Sequence, residues 1–235
     1  MGKSLIQQKR GKGSPRYIAS SHRWQGIVRH KGMFGQVNGH IQDFVDCPGH
    51  SAPLARVVYD DGEECLVIAA EGLKVGDPIV SGAATPLLGN TMSLKDIPEG
   101  TMIFNIELQP GDGGKFVRAS GTCAKVLAKT PAGIVVRLPS KKERVFYPEC
   151  RAFIGTVAGG GRLEKPFLRA GTKFYAMRAK NKLWPLVSGI SMNAVSHPYG
   201  GKRKKKGKPT IAPRNAPPGR NVGKIRPRRT GRTKR

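Results

Sequence analysis

Two β-branched runs, Leu54–Tyr59 and Glu64–Ala70, face each other across Asp60-Asp61-Gly62-Glu63. An Asp-Gly turn between such runs is a strong hairpin signal and commits this stretch to antiparallel sheet. The same rhythm extends to either side. Val37–Val45 alternates loosely, and Leu73–Ser81 follows with Gly76-Asp77-Pro78 as a turn. Short strands so closely spaced over residues 36–82 predict a small, OB-like barrel. Ala83–Gly100, carrying Pro86, Gly89-Asn90, Pro98 and Gly100, reads as a connector and a domain boundary.

A second strand set follows: Met102–Leu108, Phe116–Arg118, Thr122–Ala128, Ile134–Leu138, Arg144–Tyr147 and Arg151–Val157. Turns at Pro110-Gly111-Asp112-Gly113-Gly114, Pro131-Ala132-Gly133 and Pro139-Ser140 separate them. Their spacing, about ten residues, predicts an SH3-like barrel over 83–165. Residues 166–201 hold one helix, expected at Thr172–Lys182, with Thr172 as its cap and Pro185 beyond its end. They also hold the Pro/Gly loop Ser191–Gly201, which shows no helical or strand period. The expected fold is mainly β, with long basic extensions at 1–35 and 202–235.

The extensions are defined by charge. The chain of 235 residues has 42 Lys and Arg against 15 Asp and Glu, a net of +27. Residues 1–35 hold eight of the cations and residues 202–235 hold fifteen, with no acid in either; the middle is left at +4. Arms of this composition have too little apolar content to fold alone. Phosphate backbones are their natural partner, because each neutralised phosphate releases condensed counterions. No amphipathic stripe or long apolar run points to a membrane. Met1–Arg10 has no apolar centre of the kind a secretory signal needs, so a cytoplasmic location is expected.

Few residues suggest catalysis. The carboxylates Asp60, Asp61, Glu63 and Glu64 read as solvated turn residues. Cys47-Pro-Gly-His50 with His40 supplies too few ligands for a closed zinc site, and Cys47, Cys65, Cys123 and Cys150 read as small apolar residues. Neither a metal nor a cofactor is expected. His197 could move protons near neutral pH, but its sequence neighbours offer no nucleophile or orienting carboxylate; it is a weak catalytic candidate at most, and the chain reads as a non-enzyme without a small-molecule substrate. Nucleic-acid contacts are better supported. Tyr17, Trp24 and Phe34 alternate with Arg16, His22 and Arg23, where rings either stack on bases or dock on the protein's own centre. The expected RNA-binding residues are Arg10, Lys12, Arg16, His22, Arg23, Trp24, Asn193, His197, Tyr199, Gly200, Gly201, Lys202, Arg203, Lys204, Lys205, Lys206, Arg214 and Arg220.

At Met192-Asn-Ala-Val-Ser-His-Pro-Tyr-Gly-Gly201 the chain resembles protein two of the large ribosomal subunit. Further matching segments, in order, are Arg10–Arg16, Pro48–Ala55, Gly89-Asn-Thr91, Ile97–Gly100, Pro110–Gly114, Arg118–Gly121, Cys150–Gly155 and Asn215–Arg220. Gly159-Gly-Gly-Arg162, Lys165-Pro166 and Asn193-Ala194 resemble the archaeal branch. The chain departs from the bacterial pattern at Ser196, where an acid is common, at Tyr199, where a second His stands, and at Lys202, where a third Gly stands. An acid–His relay is therefore missing. The resemblance implies large-subunit rRNA and neighbouring ribosomal proteins as partners. It also implies a tail directed to the peptidyl transferase region, and a contact with the small subunit at a bridge.

Deleting residues 202–235 should flatten the salt dependence of RNA binding, by about 0.7–0.9 in the log–log slope for each phosphate that the tail neutralises. Filter binding of full-length and truncated chains across a salt series measures this; an unchanged slope removes the tail from the phosphate-binding surface.

Overall fold

The structure, a computed structural model, describes residues 2–32, 35–201, 210–217 and 219–225. It divides into two compact units: Ser20–Leu168, and Met1–Ala19 together with Arg169–Arg235.

The Ser20–Leu168 unit is built on one ten-stranded sheet. Its strands are β1 Val37–Val45, β2 Leu54–Tyr59, β3 Glu64–Ile68, β4 Pro78–Ser81, β5 Thr91–Ser93, β6 Met102–Phe104, β7 Ala124–Thr130, β8 Gly133–Arg137, β9 Glu143–Phe146 and β10 Arg151–Ile154. They are ordered β3-β2-β1-β4-β5-β10-β6-β7-β8-β9. The hairpin expected at Asp60-Asp61-Gly62 joins β2 to β3, with Val58 opposite Glu64 and Leu54 opposite Ile68. Gly62 has φ 81°, a left-handed value that suits glycine.

Two apolar cores lie against this sheet. One gathers Ile41, Leu54, Val57, Val67, Ile68 and Ile79 with Phe104 and Phe153. The other gathers Met92, Leu94, Ile97, Ile103, Val126, Val136, Phe146, Ala152 and Ile154. Side chains alternate across a strand, so β6 sends Phe104 to the first core and Ile103 to the second. In the same way β10 sends Phe153 to the first and Ala152 and Ile154 to the second. These two short strands form a wall common to both cores, which is why all four residues of β10 are buried. The Phe104 and Phe153 rings stack at 5.4 Å. The fold is mainly β and consistent with an OB-like barrel followed by an SH3-like barrel.

Several sequence expectations need correction. The connector over 83–100 contains β5, which pairs with β10 through Met92 and Ala152 and meets β4 in parallel at Ser81 and Thr91. Its turn residues hid the strand: Asn90 is buried, and its side-chain oxygen accepts the Val80 N–H at 2.9 Å. The run 73–81 is strand only at β4, and 116–118 makes only an isolated bridge between Phe116 and Ile106. Asp61 and Glu63 are not merely solvated turn residues. Both bind the Lys31 ammonium, Glu63 at 2.9 Å, and that ammonium also lies 4.7 Å from the centre of the Tyr59 ring.

Residues 28–31 are held by this unit. Val28 bridges to Leu66 in parallel, and the Arg29 and His30 N–H groups donate to the Leu66 and Gly113 carbonyls. His30 is buried and stacked on Phe153 at 4.9 Å. Its Nε2 donates to the Asn105 carbonyl at 2.7 Å, while Nδ1 has no partner. Beside it, the fully buried Glu107 carboxylate accepts bonds from Arg151 Nη2 at 2.9 Å, Arg151 Nε at 3.3 Å and the Arg151 backbone N–H at 2.9 Å. Arg151 Nη1 reaches the Lys31 carbonyl at 2.7 Å. Burial alone would raise the Glu107 pKa; the Arg151 bonds and the positive groups nearby outweigh it and hold the carboxyl below its usual range.

In the second unit, α1 Ile6–Gly11 is a short helix whose Gln8 side chain accepts the Leu5 N–H at 2.9 Å. The main helix, α2, runs Ala170–Ala179 rather than 172–182. Thr172 lies inside it, and Arg169 at the cap position makes no side-chain bond. It ends before Pro185 because Asn181 turns left-handed, with φ 50°, and the Lys182 N–H folds back to the Met177 carbonyl at 2.9 Å. No residue of α2 is buried. Two short parallel strands, β11 Ile211–Ala212 and β12 Lys224–Ile225, complete the unit.

Burial pushes the His30 pKa from 6.5 down to about 4, against the opposing pull of Glu107 and the Asn105 carbonyl. A second ring proton would sit on buried Nδ1 with no acceptor. A folded-state pKa below the unfolded one gives stability that is complete above 6.5 and lost as pH falls towards 4. Urea midpoints followed by circular dichroism should therefore drop across that window, and His30→Gln, which cannot titrate, should flatten the drop.

Candidate nucleic-acid interface

Charge is segregated by folding unit more sharply than by position in the chain. Met1–Ala19 with Arg169–Arg235 carries twenty-five Lys and Arg and no Asp or Glu; Ser20–Leu168 carries seventeen against all fifteen acids. Among the described residues the ion pairs are Lys31 with Asp61 and Glu63, and Arg151 with Glu107, all within the near-neutral unit. Every described cation of the other unit lacks an acidic partner, so its field points outward and suits a polyanion.

Most of the expected RNA contacts lie on the surface. Arg10, Lys12, Arg16, Asn193, Arg214 and Arg220 are exposed in the acid-free unit, and His22, Arg23 and Trp24 are exposed in the other. Lys202, Arg203, Lys204, Lys205 and Lys206 fall outside the described residues, as does Phe34. His22 and Arg23 lie on a 3-10 turn, Ser21–Arg23.

Trp24 combines the two roles that its sequence left open. Its ring stands edge-on to His50 at 6.1 Å, and a Cβ on Gly49 would come within 2.5 Å of it, so the indole lies on the 48–50 turn. It is still 42% exposed. It rims a groove of about 430 Å³ shared with Arg29, Lys115, Arg118 and the 111–114 loop. Arg118 is committed to scaffolding there, donating to the Gly114 carbonyl at 2.9 Å and the Val28 carbonyl at 3.0 Å. Burial, with Arg118 nearby, holds the His50 pKa down; its Nδ1 lies 3.2 Å from Cys47 Sγ. Among the described residues no cluster of three His, Cys, Asp or Glu could hold a metal ion.

The loop at 191–201, which has no helical or strand period, folds back on its own backbone. The Ser196 and His197 N–H groups donate to the Asn193 carbonyl, Gly200 N–H to His197, and Gly201 N–H to Met192. Gly200 is buried, and a Cβ there would lie 2.3 Å from the Asn193 oxygen. Here glycine serves protein packing, not approach to a foreign surface. Half-buried His197 accepts the Tyr199 N–H on Nδ1 at 3.1 Å, and its ring lies 5.0 Å from the Tyr199 ring. A Cβ on Gly189 would fall 2.3 Å from His197 Cε1. Partial burial lowers the His197 pKa, and no residue of its unit can supply an orienting carboxylate. Half-buried Tyr199 donates its hydroxyl to the Val222 carbonyl at 2.8 Å, joining the loop to the chain beyond residue 210.

Sequence reading missed Arg178, Lys182, Phe174 and Trp184. They form a second groove of about 480 Å³ with Pro15, Arg16, Asn181 and Leu183. The available signal was the complete absence of acid after Glu164. Gly200→Ala should disorder the loop, whereas Gly171→Ala, where a Cβ meets nothing within 4 Å, should be neutral or stabilise α2 by about 1 kcal/mol. Protease protection of residues 191–225 in RNA-bound protein distinguishes the two.

Comparison with known proteins identifies the family. Residues 3–81 match the family described as Ribosomal Proteins L2, RNA binding N-terminal domain, and residues 87–221 match Ribosomal Proteins L2, C-terminal domain. The large ribosomal subunit protein uL2 of Methanopyrus kandleri is 49% identical, covering 99% of this chain and 98% of its own length. That of Methanothermobacter thermautotrophicus is 47% identical over 98% and 99%, and that of Natronomonas pharaonis is 48% identical over 99% and 97%. With both family domains matched in order along nearly its whole length, the chain belongs to the ribosomal protein L2 family.

Proposed function

We propose that this protein is a structural constituent of the large ribosomal subunit in the cytoplasm, where it binds the large rRNA beside neighbouring ribosomal proteins. The observation that carries the reading is the unit with twenty-five cations and no carboxylate. No arrangement of its own side chains relieves that repulsion, and crowded RNA phosphates do. In this reading 1–35, apart from 28–31 held by the near-neutral unit, and 202–235 act as extensions threading between RNA helices, 36–82 and 83–165 as OB-like and SH3-like barrels, and 166–201 as the joint leading to the tail. Exposed Arg10, Lys12, Arg16, His22, Arg23, Trp24, Asn193, Arg214 and Arg220 contact RNA, together with Lys202–Lys206. His197, Tyr199, Gly200 and Gly201 shape the loop that presents them. Recognition is by shape, phosphate and 2′-hydroxyl rather than by base sequence.

The finer role we propose is support of the peptidyl transferase region by the tail, and of subunit association at a bridge. Chemistry by the protein is not part of it, because His197 is engaged by Tyr199 and packed against Gly189.

His197→Gln separates support from catalysis. Variant particles should show altered tail placement or assembly, while particles that do assemble keep single-turnover peptidyl transfer close to the wild-type rate. A fall of orders of magnitude in normally packed particles would sink the structural role. Stoichiometric sedimentation of the wild-type chain with large subunits in high salt tests the location itself.

A further inference from the structure

The groove beside α2 has a composition that phosphate neutralisation alone does not explain. Phe174 on α2, 39% exposed, and half-buried Trp184 and Leu183 give it apolar surface. Exposed Arg16, Arg178 and Lys182 line the same space of about 480 Å³. The pocket is braced: Asn181 Nδ2 donates to the Pro15 carbonyl at 2.6 Å and the Ile18 carbonyl at 2.7 Å, which ties the amino-terminal segment to the end of α2. The Lys173 ammonium lies 5.4 Å from the centre of the Trp184 ring and helps fix that ring. Left-handed Asn181 sets the turn that brings Leu183 and Trp184 back towards α2.

An aromatic floor ringed by guanidinium and ammonium groups, with no acid anywhere in the unit, matches one chemistry: a planar base with its phosphates attached. Stacking on an aromatic ring accepts any base, Arg adds cation–π contact and bidentate phosphate bonds, and the groove is large enough for a nucleotide but not for a duplex. A peptide partner would need acidic side chains to satisfy the same cations, and would have no use for a ring set between them.

We propose that this groove takes a single unpaired nucleotide of the large rRNA, its base against Phe174 and Trp184 and its phosphates on Arg16, Arg178 and Lys182. The inference deepens the rRNA-binding reading and rests on it.

The test uses large subunits purified from cells carrying the full-length chain as wild type, Phe174→Ala or Phe174→Trp, probed with base-specific modifying reagents. Phe174→Ala should raise at least one rRNA base from background to the reactivity of a free unpaired nucleotide, and Phe174→Trp should restore protection. An unchanged base pattern in fully occupied Phe174→Ala particles overturns the proposal. If that variant does not incorporate, ultraviolet cross-linking of wild-type particles decides: a nucleotide adduct on Phe174 or Trp184 supports the pocket, and a protein adduct or none overturns it. Failure of the wild-type chain to sediment with large subunits would instead defeat the broader rRNA-binding reading, so the two failures are distinguishable.

Discussion

Mutual repulsion among the twenty-five cations of one folding unit is the constraint on which the protein depends. Exposed charges separated by more than about 10 Å are screened by ordinary salt, yet the described cations of this unit follow one another along loop and helix, and the unit has no Asp or Glu. Its local structure is correspondingly thin. Helix α2 has no side-chain cap, no acid in its first turn and no buried face, and β11 and β12 are two residues each. What holds it together are backbone turns, the Tyr199 bond to Val222 and the Asn181 bonds to Pro15 and Ile18. Such contacts define a shape, and like charges work against it; in the function proposed above, RNA phosphates relieve that repulsion.

The other unit solves the opposite problem. It is nearly neutral, and among the described residues the charges it buries are paired: Arg151 of β10 with Glu107, and Lys31 with the partly exposed Asp61 and Glu63. A buried ion pair is a poor source of net stability, but removing one partner leaves a charge stranded at a cost of about 3–5 kcal/mol. The Arg151 cluster also ties elements far apart in sequence, since its guanidinium reaches both Glu107 and the carbonyl of Lys31. Specific placement of residues 28–31 follows, and with it the groove edge at Arg29.

Much of this was legible before any coordinates. The Asp-Gly hairpin and most strands of both barrels declared themselves by alternation and turn residues. β5 did not, because three residues between Gly89-Asn90 and Pro98 carry no period, and only burial against β10 makes them a strand. Helix α2 was displaced because Thr172 is a good cap by type, while the turn at Asn181 depends on local backbone geometry. The exposed Arg and Lys side chains of the acid-free unit were readable from charge alone. His197 and Gly200 stood out in the sequence as expected RNA contacts, but their loop folds on itself, which no spacing rule reveals. Arg178 and Trp184 were passed over because a groove needs two segments distant in sequence, Pro15–Arg16 and the end of α2, to meet.

The double-faced strands β6 and β10 carry a further consequence. Phe104 and Phe153 complete a core whose other members come mostly from before residue 80. Because Phe153 belongs to the first core, that core cannot be complete until residue 153 has been made, so the first barrel is expected to close only with the second rather than before it.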